Sequence, residues 1–282
     1  MNLCRGTGQI GDVEMRSNRI FWAIVLVGLG FLLLADNLGF VNINIWGLFW
    51  PAMLILLGIW FLVGTATGSS NIEMLEGSVD LDGAESASIT VKHGAGKLIL
   101  NSSADSGKLV SGTFANGLDA LVTKDGNRLK VVLQPQSRAF PDVFFPGNWM
   151  TGRGLMWDFG LSKELPLDLV FETGAVDAQL DLTDLQVKDL VLKTGASSTD
   201  IKLPAGAGFT RLKIEAGAAS VVLHVPEGVA ARVEAQAGLA SVSVDQNRFP
   251  KQNGYYQSAD YEGAKNKVDI RIETGMASIE VK

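Results

Sequence analysis

The feature that most constrains this chain is a short glycine motif that returns at a nearly fixed period. It reads Glu172-Thr173-Gly174-Ala175, Lys193-Thr194-Gly195-Ala196, Glu215-Ala216-Gly217-Ala218, Gln236-Ala237-Gly238-Leu239 and Glu273-Thr274-Gly275-Met276, with an earlier copy at Lys92-His93-Gly94-Ala95. Glycines 174, 195, 217 and 238 are 21, 22 and 21 residues apart. A period near 20 marks stacked repeats, each too small to bury its own apolar face. On both sides of each glycine apolar residues alternate with polar ones. Leu212 and Ile214 precede Gly217 while Val221, Leu223 and Val225 follow it, and Val268, Ile270 and Ile272 precede Gly275 while Ile279 and Val281 follow. Alternation of this kind gives half-buried strands.

These patterns predict a mostly β fold, a single-stranded β-solenoid of stacked coils with Gly94, Gly174, Gly195, Gly217, Gly238 and Gly275 at its corners. Glycine suits the corner if the backbone there takes a positive φ or approaches its neighbour closely. Lys213, Glu215, Lys202, Asp269, Arg271, Glu273 and Glu280 fall on the outward strand faces. The residues before the glycines, His93, Thr173, Thr194, Ala216, Ala237 and Thr274, would stack as a short ladder.

The N-terminal quarter is different. An apolar run covers 20–35 and a second covers 45–63. A helix needs about 20 apolar residues to cross roughly 30 Å of hydrocarbon. The two runs predict a transmembrane helical hairpin over 20–64, with a tail at 1–19, a Gly/Ser/Thr linker at 65–72 and the β-solenoid domain at 73–282. Trp22 and Trp60 would lie at one interface, Trp46 and Trp50 at the other. Arg16 and Arg19 precede the first run, and 36–44 contains no Lys or Arg. The positive-inside rule then puts the N-terminus and the solenoid in the cytoplasm, with two spans in the cell membrane.

Two stretches depart from the repeat. In 101–165, strands are expected at 109–113, 120–123 and 129–133, with a hairpin turn at Lys124-Asp125-Gly126-Asn127. The following 134–160 holds Pro135, Pro141 and Pro146, which argue against a long helix or a central strand. It also holds Phe140, Phe144, Phe145, Trp149, Trp157 and Phe159. Rings at this density cap an open end of the solenoid, dock on the membrane interface or meet a partner. The second excursion, 245–264, carries Tyr255, Tyr256 and Tyr261 and reads as an insertion.

The chemistry-bearing residues are few. One cysteine, Cys4, allows no internal disulfide and no cysteine-based zinc cage. The two histidines, His93 and His224, share no ligand spacing, and Ser197, Ser198, Ser220, Ser241 and Ser278 follow the repeat, not a catalytic triad. A Gly6-x-Gly8-x-x-Gly11 lacks the preceding strand a dinucleotide site requires. The first 70 residues hold three charges of each sign, so the net charge of −6 belongs to 71–282. A nucleic-acid surface needs the opposite sign. No enzyme, cofactor or metal is expected.

The residues also carry a resemblance. The segment Trp46-Gly47-Leu48-Phe49-Trp50-Pro51-Ala52-Met53-Leu54-Ile55-Leu56-Leu57-Gly58 resembles the second helix of LiaF-type bacterial membrane proteins. Gly94-Ala95-Gly96 and the later Thr-Gly-Ala copies resemble the toast-rack β-solenoid joined to such helices, and Trp157 with Leu165-Pro166 resembles that family's return to the repeat. The resemblance implies a non-enzymatic regulator of cell-envelope stress signalling, some members acting on a membrane histidine kinase. LiaF itself is usually given four spans, where two are expected here. The alternative is a structural or adhesin-like scaffold outside the cell. It rests on an exposed edge at the C-terminal coil, through which copies could assemble into an oligomer.

Overall fold

The computed structural model describes residues 50, 51, 53–59, 73–136, 155–237, 241–252 and 254–282. The chain divides into two compact units, Met1–Val63 and Gly64–Lys282. In the first, the described residues form a short apolar helix within 50–59. No described helix is long and apolar enough to cross a membrane. The first expected span and most of the second lie outside the described residues.

The second unit is built from strands. Its regular part is a series of two-strand coils, each bent at a glycine of the motif. The first coil is β2 (Ser86–Asn101) and the second β7 (Leu167–Asp181), which run unbroken through the bend. Then come β8 (Val187–Thr194) with β9 (Ser198–Lys202), β10 (Phe209–Ala216) with β11 (Ser220–His224), β12 (Ala230–Ala237) with β13 (Ser241–Val244), and β16 (Lys267–Thr274) with β17 (Ser278–Val281). All these coils pair in parallel, and in register apart from a bulge opposite Leu167 and Asp168. The result is one continuous sheet with two arms, joined through the bends in β2 and β7.

Register turns the sequence alternation into continuous apolar rows. In the first arm Ile89, Leu169, Leu190, Leu212, Ile270 and Val233 lie side by side, and Val91, Phe171, Leu192, Ile214 and Ile272 form the next row. In the second arm Leu100, Leu180, Ile201, Leu223, Val281 and Val244 do the same. The rows belong to a single core. No strand pair here buries enough apolar surface alone, so each coil's stability comes from its neighbours.

The bend explains the glycines. The Gly174 carbonyl accepts a hydrogen bond from Ala196 N–H at 2.9 Å, the Gly195 carbonyl from Ala218 N–H at 2.8 Å, and the Gly217 carbonyl from Met276 N–H at 3.0 Å. Backbone pairing therefore continues around the corner. A Cβ on Gly174 would stand 2.3 Å from the Gly94 carbonyl oxygen, one on Gly195 3.1 Å from that of Gly174, and one on Gly217 3.0 Å from that of Gly195. Of the two reasons expected for glycine, close approach applies at Gly174, Gly195 and Gly217, while a Cβ on Gly94 would meet nothing within 4 Å. None of Gly94, Gly174, Gly195, Gly217 and Gly275 has a positive φ. Gly238 lies outside the described residues. The residues before the glycines do stack, and Thr173 Oγ1 donates to Thr194 Oγ1 at 3.0 Å.

Three expectations are corrected. The first excursion largely joins the arms. β4 (Leu118–Asp125) and β5 (Arg128–Pro135) form a hairpin whose β5 pairs with the first half of β2. β1 (Met74–Asp80), β3 (Lys108–Ala115) and β6 (Met156–Leu161) extend the second arm beyond the second half of β2. β6 is a central strand, because it begins after the last proline of its stretch and donates its full ladder. A second glycine so close to Gly94 predicts that Gly96 makes the first corner looser than the others, and this is the second correction. Gly96 has φ +117°, and a Cβ there would meet the Leu155 carbonyl at 2.3 Å, so the site is tight.

The third correction is the coil order. The 267–281 coil lies between the 209–224 and 230–244 coils, so it is not an edge. The edge coil is 230–244. The second excursion folds back on it as a small hairpin, β14 (Lys251–Gln252) and β15 (Tyr255–Gln257), with β15 antiparallel to β12. A short hairpin with a lysine on its outer strand blunts an otherwise open edge.

The corner geometry predicts a graded response to adding one methyl group. Gly174→Ala should lose about 1–3 kcal/mol of unfolding free energy, since rigid backbone of the preceding coil must shift. Gly275→Ala meets nothing closer than 3.8 Å and should change stability by less than about 1 kcal/mol. Urea unfolding of the two variants checks the order.

Candidate functional site

The outward faces of the two arms are the surfaces this fold offers. A parallel in-register stack places equivalent positions directly over one another, which favours apolar residues and penalises like charges. The first arm resolves much of this by changing sign between neighbouring coils. Asp189, Arg211, Asp269 and Arg232 lie side by side, and Lys92, Glu172, Lys193 and Glu215 form a second row. Arg211 donates to both Asp189 oxygens, at 2.6 and 2.7 Å, and Arg232 lies 3.2 Å from Asp269. Arg128 also pairs with Asp168. Three like pairs remain among the described residues: Asp168 beside Asp189, which Arg128 and Arg211 offset, Lys213 beside Arg271, and Glu215 beside Glu273, which Lys213 bridges at 2.8 and 3.1 Å. These hydrogen bonds, to Glu215 first and Glu273 second, raise the Lys213 pKa.

The second arm shows a different row. Ser198, Ser220, Ser278 and Ser241 lie side by side and exposed, one per coil, just beyond the corner. Beside them His224 Nε2 lies 2.9 Å from Asp200 Oδ2 in the preceding coil. His224 thus sits on the outward face its alternation predicts, in a surface pair with no serine hydroxyl bonded to it. The serine row was visible only as serines near each glycine; their alignment needs the coil order.

Where β1, β3 and β6 extend the second arm, Glu76, Ser78, Ser111, Thr113 and Asp158 line a shallow groove of about 390 Å³. Ser111 Oγ there accepts from Asp105 N–H at 2.9 Å. No group of three or more His, Cys, Asp or Glu that could hold a metal occurs among the described residues.

Of the aromatic residues singled out in the sequence, Trp157 and Phe159 lie on β6 and are wholly buried. Phe140, Phe144, Phe145 and Trp149 lie outside the described residues. Trp157 packs edge-on against Phe114 at 5.1 Å and faces His93 at 4.9 Å, and Phe114 stacks on Phe159 at 5.6 Å. Phe114 and His93 carried no signal for this cluster, because β3 and the first corner meet β6 only through tertiary pairing.

His93 is 1% exposed, and neither ring nitrogen has a hydrogen-bond partner. Burial lowers its pKa to about 4; the nearby Leu155 backbone opposes this weakly without reaching bonding geometry. The imidazole is therefore a neutral core residue. Between pH 6.5 and about 4 the unfolded chain holds a proton that folded His93 does not, so stability increases with pH across that window. The contribution is fully present above 6.5 and lost as pH falls through 4, on the order of 3 kcal/mol in all. His93→Phe should flatten this part of the profile relative to the unmodified chain, as measured by urea unfolding at successive pH values.

Residues 20–62 match the LiaI-LiaF-like transmembrane region. No curated protein matches the chain. Among solved structures, a candidate cell adhesion protein of Clostridium sporogenes is 20% identical with a TM-score of 0.64, covering 75% of this chain and 100% of that one. A candidate adhesin of Bacteroides fragilis is 8% identical with a TM-score of 0.27, covering 76% and 98%. The first likeness is one of fold alone, and the second is too remote to bear on it. Residues 67–224 match the family described as the N-terminal domain of toast_rack, DUF2154. That match covers more than half of the chain, and the chain belongs to the toast-rack family, with a LiaI-LiaF-like membrane region before the β domain.

Proposed function

We propose that this chain is a membrane-anchored, non-enzymatic interaction module that regulates a membrane protein, of the sensor-kinase type, in the cell-envelope stress response. The observation that carries this reading is the joining of a LiaI-LiaF-like transmembrane region to a toast-rack stack. The outer faces of that stack are ordered ladders of charge and hydroxyl. Ladders fixed on a rigid sheet suit recognition, since the side chains are held in place before a partner arrives. Their charges are satisfied within the stack, which favours specificity over raw affinity.

The proposed topology has two spans, with the N-terminus and the β domain in the cytoplasm, following Arg16, Arg19 and the uncharged 36–44 connection. A second reading places the β domain outside the cell as a structural or adhesive scaffold; the fold likeness to the Clostridium sporogenes protein favours it.

Reporter fusions at the 65–72 linker and at residue 282, with protease treatment of intact cells, separate the two. Protection of 73–282 supports the first reading, and digestion from outside supports the second. Under the first reading, affinity capture from detergent-solubilised membranes of stressed cells recovers a sensor kinase. Charge reversal at Arg211 and Lys213 should reduce that recovery. Capture unaffected by both reversals, or empty of membrane proteins, would overturn the assignment of the ladder face.

A further inference from the structure

The coil order along the stack departs from the order along the chain at one place. β10 and β12 do not pair with each other; each completes its ladder on β16, and β11 and β13 each complete theirs on β17. The 209–224 and 230–244 coils thus form the two walls of a slot one coil wide, filled by residues 267–281.

The filling segment matches the 230–244 wall by charge, while on the 209–224 wall Asp269 meets Arg211 but Arg271 and Glu273 lie opposite Lys213 and Glu215. Asp269 lies opposite both Arg211 and Arg232 and is 3.2 Å from the latter. Arg271 lies 3.4 Å from Glu234, and Glu273 lies 3.1 Å from Lys213. Closing the walls directly in the same register would set Arg211 against Arg232 and Lys213 against Glu234, whereas the segment places Asp269 between the two arginines. Inward, Val268, Ile270, Ile272, Ile279 and Val281 are at most 1% exposed and continue rows begun by both walls. A segment with Asp, Arg and Glu on one face and five aliphatics on the other fits here.

We propose that this slot is a binding site for a bent strand pair of this sequence, and that it also accepts residues 267–281 from a second copy of the chain. The recognition contacts come from the segment and the walls, so an identical segment arriving from another molecule makes the same set. Residues 258–266 form the tether. Extended, nine residues span roughly 30 Å, enough to reach a neighbouring stack. Within one chain the tether is folded, with Tyr261 buried and its ring under Arg232 at 4.7 Å and Lys267 at 5.3 Å.

The test uses the full chain with Cys4→Ser. Ser220 and Ser278 are exposed and directly opposed in β11 and β17. Parallel neighbours about 4.8 Å apart fall within disulfide range. Chains carrying only Ser220→Cys and chains carrying only Ser278→Cys are co-expressed, oxidised and resolved on a non-reducing gel. A covalent heterodimer is expected, and none when Thr123→Cys on the distant β4 replaces Ser220→Cys. Asp269→Arg on the Ser278→Cys chain should lower the yield roughly two- to five-fold. Arg232→Asp on the other chain should restore it. Two results overturn the proposal. One is absence of heterodimer while the Ser220→Cys/Ser278→Cys double variant closes its disulfide within one chain. The other is equal yield with Thr123→Cys, or a yield indifferent to Asp269→Arg, either of which marks random collision.

Discussion

The contact on which this structure depends is the one between backbones at the corner, where a glycine carbonyl in one coil meets an amide of the next. A β-stack that bends must either break its ladder at the bend or continue it there. This chain continues it, and at Gly174, Gly195 and Gly217 the continuation leaves little room for a side chain between successive corners. At those three corners glycine is therefore fixed by distance and not by dihedral angle. The same contact holds the coils in register, and register is what aligns Leu190 with Leu212 and Ile270 in the core.

Register also creates the problem that the charged faces solve. Stacking equivalent positions is favourable for aliphatic side chains and unfavourable for like charges at the same spacing. The first arm changes sign along much of the stack, and its like pairs have opposite charges close by: Arg128 and Arg211 at Asp168 and Asp189, Lys213 at Glu215 and Glu273, and Glu234 at Arg271. Exposed ion pairs of this kind contribute little stability each. Their larger effect is on which coil can lie beside which. In the placing of the 267–281 coil between two earlier ones, Asp269 separates two arginines that would otherwise oppose each other.

The ends of the stack are finished differently. At one end the β14–β15 hairpin covers the last coil of the first arm with two short strands. At the other, β4 and β1 are the outer strands among the described residues, and four exposed apolar side chains, Met74, Leu75, Leu121 and Val122, lie on them. Behind β1 and β3, the Phe114–Trp157–Phe159 cluster with His93 fills the first coil's interior. A histidine can occupy that place because an imidazole held neutral packs as an aromatic ring.

The repeat period, the alternation and the corner glycines were legible in the sequence because each is a local pattern with a direct physical cause. So were the outward placement of Lys213, Asp269 and His224 and the turn at Gly126, where φ is +60°. The sequence by itself determined that this chain stacks short strands around a shared apolar interior and carries two long apolar runs before them. Only the tertiary structure decided which coil touches which, that β6 is central, that the four serines form one row, and that His93 is buried. The reason is that period and alternation specify how a coil is made but are nearly the same in every copy. Neighbour choice rests on charge and shape matched between segments tens of residues apart, and those meet only when the stack has formed.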